Sequence, residues 1–198
     1  MVGFSSFRRG ADSLFDDYDE FVPENVPETG PFLEEQDVLA GDEHVAFHQL
    51  TRDLFEERNV YDMTFNYNLA RLNLDTRHPN AGYRYAVDRD DPSILRAEFT
   101  PTTPFCPQAH TLTIGSFRAW NALSDRHAYD LVCVRLAPMH HQSQSIDERL
   151  AKLEAGFLET GSVTDDGAGR NRPANEGGSD AEHAARFRDD GENADAPF

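Results

Sequence analysis

The stretch Gly82-Tyr-Arg-Tyr-Ala-Val87, Asp88-Arg-Asp-Asp-Pro92, Ser93-Ile-Leu-Arg-Ala-Glu-Phe-Thr100 runs directly into Pro101-Thr-Thr-Pro-Phe-Cys106-Pro107-Gln-Ala-His-Thr-Leu112. Aromatic and branched residues fill two arms, and Asp and Pro punctuate the turn between them, which predicts a β-hairpin. Pro101 and Pro104 then hold an extended loop, and Pro107 suits the first turn of a helix, where its missing N–H is no loss. Ala109, Leu112, Ser116, Ala119 or Trp120, and Leu123 trace one face of that helix.

On the N-terminal side, Phe47, Leu50, Leu54 and Phe55 recur at helical spacing with charged residues between them, predicting an amphipathic helix from about Val45 to Arg58. On the C-terminal side, Tyr129-Asp-Leu-Val-Cys-Val-Arg-Leu136 reads as a strand. A loop with Met139-His140-His141-Gln142 follows, and Ser145-Ile-Asp-Glu148 is a capping-box pattern opening a helix through about Phe157. Helix, hairpin, helix, strand and helix make a small two-layer α+β domain, helices packed on a mixed β-sheet.

Charge divides the 198 residues into three parts: residues 1–45 carry a net −10, residues 46–159 a net −3 and residues 160–198 a net −5. The middle is expected to be the globular domain. The other two read as acidic, largely disordered tails, too poor in large apolar side chains to offset ordering entropy. Leu14, Phe15, Tyr18 and Phe21 nevertheless make a short amphipathic pattern inside the N-terminal arm. The total of −18, with 17 Arg and the single Lys152, argues against a basic nucleic-acid-binding surface and for adaptation to concentrated salt. No apolar run approaches the roughly 20 residues of a membrane span. Arg8-Arg9 lacks the apolar segment that an export signal needs, so a cytoplasmic location is expected.

Two cysteines are too few for a disulfide framework or a self-contained four-cysteine metal site. Cys106 falls at or just before a helix N-terminus, where unpaired N–H groups and the helix dipole stabilise an anion; its thiol is expected to ionise more easily than usual. Cys133, mid-strand, reads as core packing. His140 or His141 could supply a ligand or a base, although adjacent side chains diverge on an extended backbone. Phosphate-binding glycine loops and the hydrolase elbow are absent from the chain.

At Ala97-Glu-Phe-Thr-Pro-Thr-Thr-Pro-Phe-Cys106-Pro the chain resembles the iron–sulfur cluster assembly family of SufT-like and PaaD-like proteins, related to the eukaryotic cytosolic cluster-targeting subunits. That family shows a strand ending in Thr-x-Thr-x-Pro-x-Cys followed by a helix. Residues 139–154 are similar to its last loop and helix, and the resemblance covers roughly residues 46–158. Asp62 and Asn68 match the family's stretch after the first helix, but Met63 and Thr64 stand where it has Pro and Glu, and Arg71 where it has a second Asp. A segment from Asp75 to Ala81 is additional. PaaD-like members carry a C-terminal cysteine-rich metal site, and no cysteine follows Cys133 here.

The resemblance implies a non-enzymatic maturation factor that delivers clusters to apo-proteins, working with cluster assembly and carrier proteins. Cys106 would be a transient cluster ligand or reactive thiol, with Thr102, Thr103 and Pro104 shaping its loop and Asp62, His140 or His141 as neighbours. One thiol does not hold a cluster stably, so no cofactor would be stably bound; an iron–sulfur cluster would be transient or shared across a homodimer. Two other readings remain: a cysteine-dependent thiol or acyl transferase with a histidine base, and an adaptor that has lost the site.

Overall fold

The structure is a computed structural model and describes residues 14–163. In chain order its elements are β1 (Asp37–Val38), α1 (Gly41–Glu57), a small hairpin of β2 (Tyr61–Asp62) and β3 (Tyr67–Asn68), β4 (Gly82–Val87), β5 (Ile94–Thr100), α2 (Ala109–Ala122), β6 (Leu131–Leu136) and α3 (Ser143–Thr160). Short 3₁₀ turns span Leu69–Leu74 and Ser124–Arg126. The main sheet has the order β1-β4-β5-β6. β4 and β5 form the expected hairpin, while β6 runs parallel to β5 because α2 carries the chain back along the sheet. The chain is thus the predicted α+β domain, with helices on a mixed sheet.

Alternation along the strands separates two faces. Tyr83, Tyr85, Leu95, Ala97, Phe99, Val132, Val134 and Leu136 share one cluster with Phe47, Leu54 and Phe55 of α1 and Leu112, Phe117 and Trp120 of α2. Trp120 is its hub, fully buried, with ring centroids 4.9 Å from Phe55 and 5.1 Å from Tyr83. Its indole N–H donates to the Thr51 hydroxyl at 3.2 Å. The opposite face is polar: Arg84 stands across from Glu98, and Arg96 and Glu98 lie beside Cys133 and Arg135 on β6.

The segment before α1 covers that polar face, which corrects the expectation of a disordered arm over residues 1–45: from residue 14 onward the arm is part of the fold. Phe32 lies 5.0 Å from the Arg96 guanidinium and 5.1 Å from that of Arg135. The buried Glu98 carboxylate accepts the Gly30 N–H at 2.7 Å, and Leu33 and Val26 are buried. Arg faces match aromatic rings without needing a continuous apolar stripe, so hydrophobic periodicity did not reveal the packing. Residues 1–13 and 164–198, on which the rest of the disordered-tail expectation falls, lie outside the described residues.

The outer edge of β6 is closed by side chains in place of a strand. Asn121 exchanges two 2.9 Å hydrogen bonds with the Val132 backbone, and Glu154 and Asp147 of α3 accept the Val134 and Leu136 N–H groups at 3.3 and 2.8 Å. Helix limits differ from expectation. α1 begins at Gly41, and α3 begins at Ser143 and ends at Thr160 against Gly161, whose φ of 66° closes the helix in the left-handed conformation. The Ser145–Glu148 capping box does not form, because Ser145 already lies inside the first turn and its hydroxyl donates to the Gln142 carbonyl at 3.0 Å. Among the described residues no helix is long and apolar enough to cross a membrane.

Candidate functional site

Cys106 lies on the loop from β5 to α2. Its N–H donates to the Thr103 carbonyl at 3.3 Å, and its own carbonyl accepts the Ala109 N–H, the first of α2, at 3.3 Å. The thiol is half-buried, with the backbone N–H groups of Gln108 and Ala109 beside it. The expected helix-terminal thiol is therefore present. The expected easy ionisation is not: burial pushes the Cys106 thiol up, the nearby Asp62 carboxylate adds to it, and the two N–H groups only partly offset the rise. A helix terminus stabilises a thiolate only to the extent that no anion faces it.

The predicted neighbours do converge on this loop. Asp62 ends β2, is buried, and turns the β2–β3 hairpin by accepting the Thr64 and Phe65 N–H groups at 2.7 and 3.3 Å. Gln108 ties this turn to α2: its carbonyl accepts the Met63 N–H at 3.1 Å and its amide donates to the Thr64 hydroxyl at 2.6 Å and to Asp62 at 3.3 Å. Gln108 is a positioning residue that sequence reading missed; only its place directly after Pro107 marked it.

His140 and His141 are both bonded to the loop, in different ways. His140 is buried; its Nδ1 accepts the Gln142 N–H at 3.2 Å, so the proton sits on Nε2 and is donated to the Cys106 carbonyl at 3.1 Å. Both nitrogens are engaged, which makes His140 a staple of the loop. His141 gives its backbone N–H (3.1 Å) and Nδ1–H (2.8 Å) to the Pro104 carbonyl, which leaves its Nε2 as the nitrogen able to bind or accept. Thr102 is half-exposed, and Thr103 and Pro104 are exposed on the loop's outer side. Phe105 and Met63, 71% and 73% exposed, are large apolar side chains on the loops that carry Cys106 and Asp62. Cys133 is far less accessible chemically: on the polar face, burial and Glu154 push its thiol up to about 12. Among the described residues no group of three or more His, Cys, Asp or Glu could hold a metal ion.

The departures from the resembled pattern have structural employment. Arg71 lies 3.9 Å over the Phe15 ring. The additional Asp75–Ala81 segment receives the arm: Asp75 bridges to Phe15, Thr76 donates to the Leu14 carbonyl at 3.1 Å, and Asn80 donates to the Asn25 carbonyl at 3.2 Å. Asn68 caps the 3₁₀ turn by accepting the Ala70 N–H at 3.0 Å. A groove of about 800 Å³, lined by Leu39, Phe47, Leu50, Val87 and Tyr129, is at the opposite end of the sheet, since Val87 pairs with Leu95 at the start of β5 while Cys106 follows its end.

Fold and site together define a small α+β domain that presents one helix-terminal thiol beside a buried carboxylate, sealed on its second face by its own N-terminal segment. Residues 13–164 match the family described as Domain of unknown function (DUF7998), and the chain belongs to that family. The matched range takes in the whole of the described arm, so the arm is part of the family's domain. No curated protein and no solved structure matches the chain.

Proposed function

We propose that this protein is a cytoplasmic maturation factor for iron–sulfur proteins, akin to the SufT-like and PaaD-like family, which hands a transient cluster to apo-proteins through Cys106. The observation that carries the reading is the lone thiol at the start of α2, beside the Gln108 and Ala109 N–H groups and faced by Asp62. The Thr-Pro-Thr-Thr-Pro-Phe-Cys106 segment and the order helix, hairpin, helix, strand, helix support it. The cluster is cargo. A single thiol holds it weakly, and weak ligation favours release. Solvent-facing Phe105 and Met63, on the loops that carry Cys106 and Asp62, offer apolar surface suited to a protein client.

The transferase alternative loses support from the raised Cys106 thiol, since nucleophilic catalysis near neutral pH requires the thiolate. The test is an anaerobic, high-salt pull-down of tagged wild type and Cys106→Ala, read by mass spectrometry. Enrichment of cluster-assembly components and apo iron–sulfur proteins with wild type, lost in the variant, is the expected result. Equal recovery from both baits, or from neither, overturns the reading. Alkylation of Cys106 that is slow at pH 7 and still accelerating at pH 9, without a plateau, separates it from the transferase.

A further inference from the structure

His44 and His48 stand at i and i+4 on α1, and both are buried, 3% and 2% exposed. Their rings are nearly parallel with centroids 5.8 Å apart. The N-terminal segment closes over them: the Phe21 ring lies 4.9 Å from His44, and the Tyr18 ring stacks 6.0 Å over His48. From β4, the Tyr85 hydroxyl meets His48 Nδ1 at 3.2 Å, and its ring lies 5.2 Å from that of His44. The Ala70 backbone faces His48 from the 3₁₀ turn. His44 Nδ1 and His48 Nε2 are both buried without a hydrogen-bond partner. The charged groups that act on the pair are cationic, Arg84 on His44 and Arg52 on His48. Both guanidiniums also hold the strap, Arg52 at 4.8 Å from the Tyr18 ring and Arg84 at 5.8 Å from that of Phe21.

A neutral imidazole pair fits beneath an aromatic lid; two imidazolium ions beside two guanidinium groups do not. We propose that His44 and His48 form a proton-sensitive latch for the strap, so that proton uptake expels Tyr18 and Phe21 and frees residues 14–25 from α1 while the sheet and its helices stay folded. The strap is separable because it is held by ring contacts and three backbone hydrogen bonds near its ends, Thr76 to Leu14, Asp16 to Leu74 and Asn80 to Asn25. Its release reaches the site. Phe15 of the strap packs edge-on against Tyr67 of β3, 5.7 Å away, and β3 pairs with the strand that carries Asp62.

Burial, His48 and Arg84 hold His44 at about 3; burial holds His48 at about 4, Arg52 lowering and the Ala70 carbonyl raising it. In the open strap each returns toward 6.5. Below that pH the open form binds more protons than the closed one, so closure is complete above 6.5 and weakens as pH falls toward the closed-state values. Between pH 7.5 and 5.0 the opening equilibrium rises by ~30-fold per imidazole, on the order of a thousandfold for the pair.

The test is hydrogen–deuterium exchange of the full chain in high salt at pH 7.5 and 5.0, corrected for intrinsic exchange, in wild type and His44→Phe/His48→Gln. The Phe keeps a ring under Phe21 and the Gln keeps a partner for Tyr85. Strap amides of wild type should lose protection by up to about a thousandfold, limited by the residual closed population, while β5 and α2 amides keep theirs and the double variant keeps its strap protected. Equal loss in wild type and variant, no loss in wild type, or simultaneous loss throughout β5 and α2 overturns the latch. If the double variant fails to fold, each single variant retains one titrating imidazole and should lose about thirtyfold; a full loss in both overturns it. Imidazole resonances that titrate near 6.5 with the strap protected overturn it too.

Discussion

The two faces of the β-sheet are covered by different means. On one, Tyr83, Tyr85, Leu95, Phe99 and Val134 meet α1 and α2 in a continuous apolar cluster around Trp120. On the other, Arg84, Arg96, Glu98 and Arg135 are covered by a segment without regular structure, whose Phe32 ring meets the Arg96 and Arg135 guanidiniums and whose Gly30 N–H meets the Glu98 carboxylate. The first face is stabilised by area removed from water and draws on many side chains at once. The second depends on a few pairings of guanidinium with ring and carboxylate with N–H, each of which can be broken locally. The helix-covered face should therefore fail globally, and the polar face by local release of the segment around Gly30 and Phe32.

The largest effect separates the two at once. Trp120→Ala should cost about 3–5 kcal/mol in chemical denaturation at high salt, with every region melting together. A cost under 1 kcal/mol would show that the helix-covered face is not the stabilising one. Next is Gly30→Ala, whose added methyl would run into the Glu98 carboxylate. It should cost about 1–3 kcal/mol, with protease sensitivity rising in residues 22–36 before any loss in β5. Phe32→Ala should cost about 1 kcal/mol by removing its contacts with Arg96 and Arg135, again as local opening. The smallest effect belongs to the exposed Arg89–Asp37 pair, where Asp37→Asn should change stability by no more than about 0.5 kcal/mol.

Acid sharpens the same contrast. Burial alone would raise the Asp88 carboxyl, but Arg96 and the N–H groups of Asp91 and Asp90 hold it below its usual 3.8. A carboxylate depressed in the fold stabilises it above 3.8, and that contribution is lost as pH falls through the folded value. Arg96→Gln should flatten the acid limb of a stability–pH curve below pH 4, whereas the strap opens at higher pH, between 6.5 and 4.

The hairpin of β4 and β5, the helix after Cys106 and the strand Leu131–Leu136 were legible because period-two and period-3.6 patterns report burial of one apolar face. The Cys106 loop was legible from its prolines, and Asp62, His140 and His141 were named before their convergence was known. Their roles were not legible. His140 is a staple because both ring nitrogens find partners, and nothing in the pair His140-His141 tells which histidine that will be. His44 and His48 stand at i, i+4, but the helix predicted from about Val45 leaves His44 out, whereas α1 begins at Gly41; what caps the pair lies more than twenty residues upstream.

By itself the sequence determined the α+β class, the order of the main elements and the thiol at the start of α2, since each is written in local periodicity, turn chemistry and helix-terminal residues. Only the tertiary structure decided that the acidic arm is a strap from residue 14, that the Cys106 thiol is raised, and that two histidines are buried beneath aromatic rings. Each of these depends on which groups far apart in the chain come within a few ångströms, and Coulomb energy, desolvation and ring packing act through distance and burial, which no local pattern records.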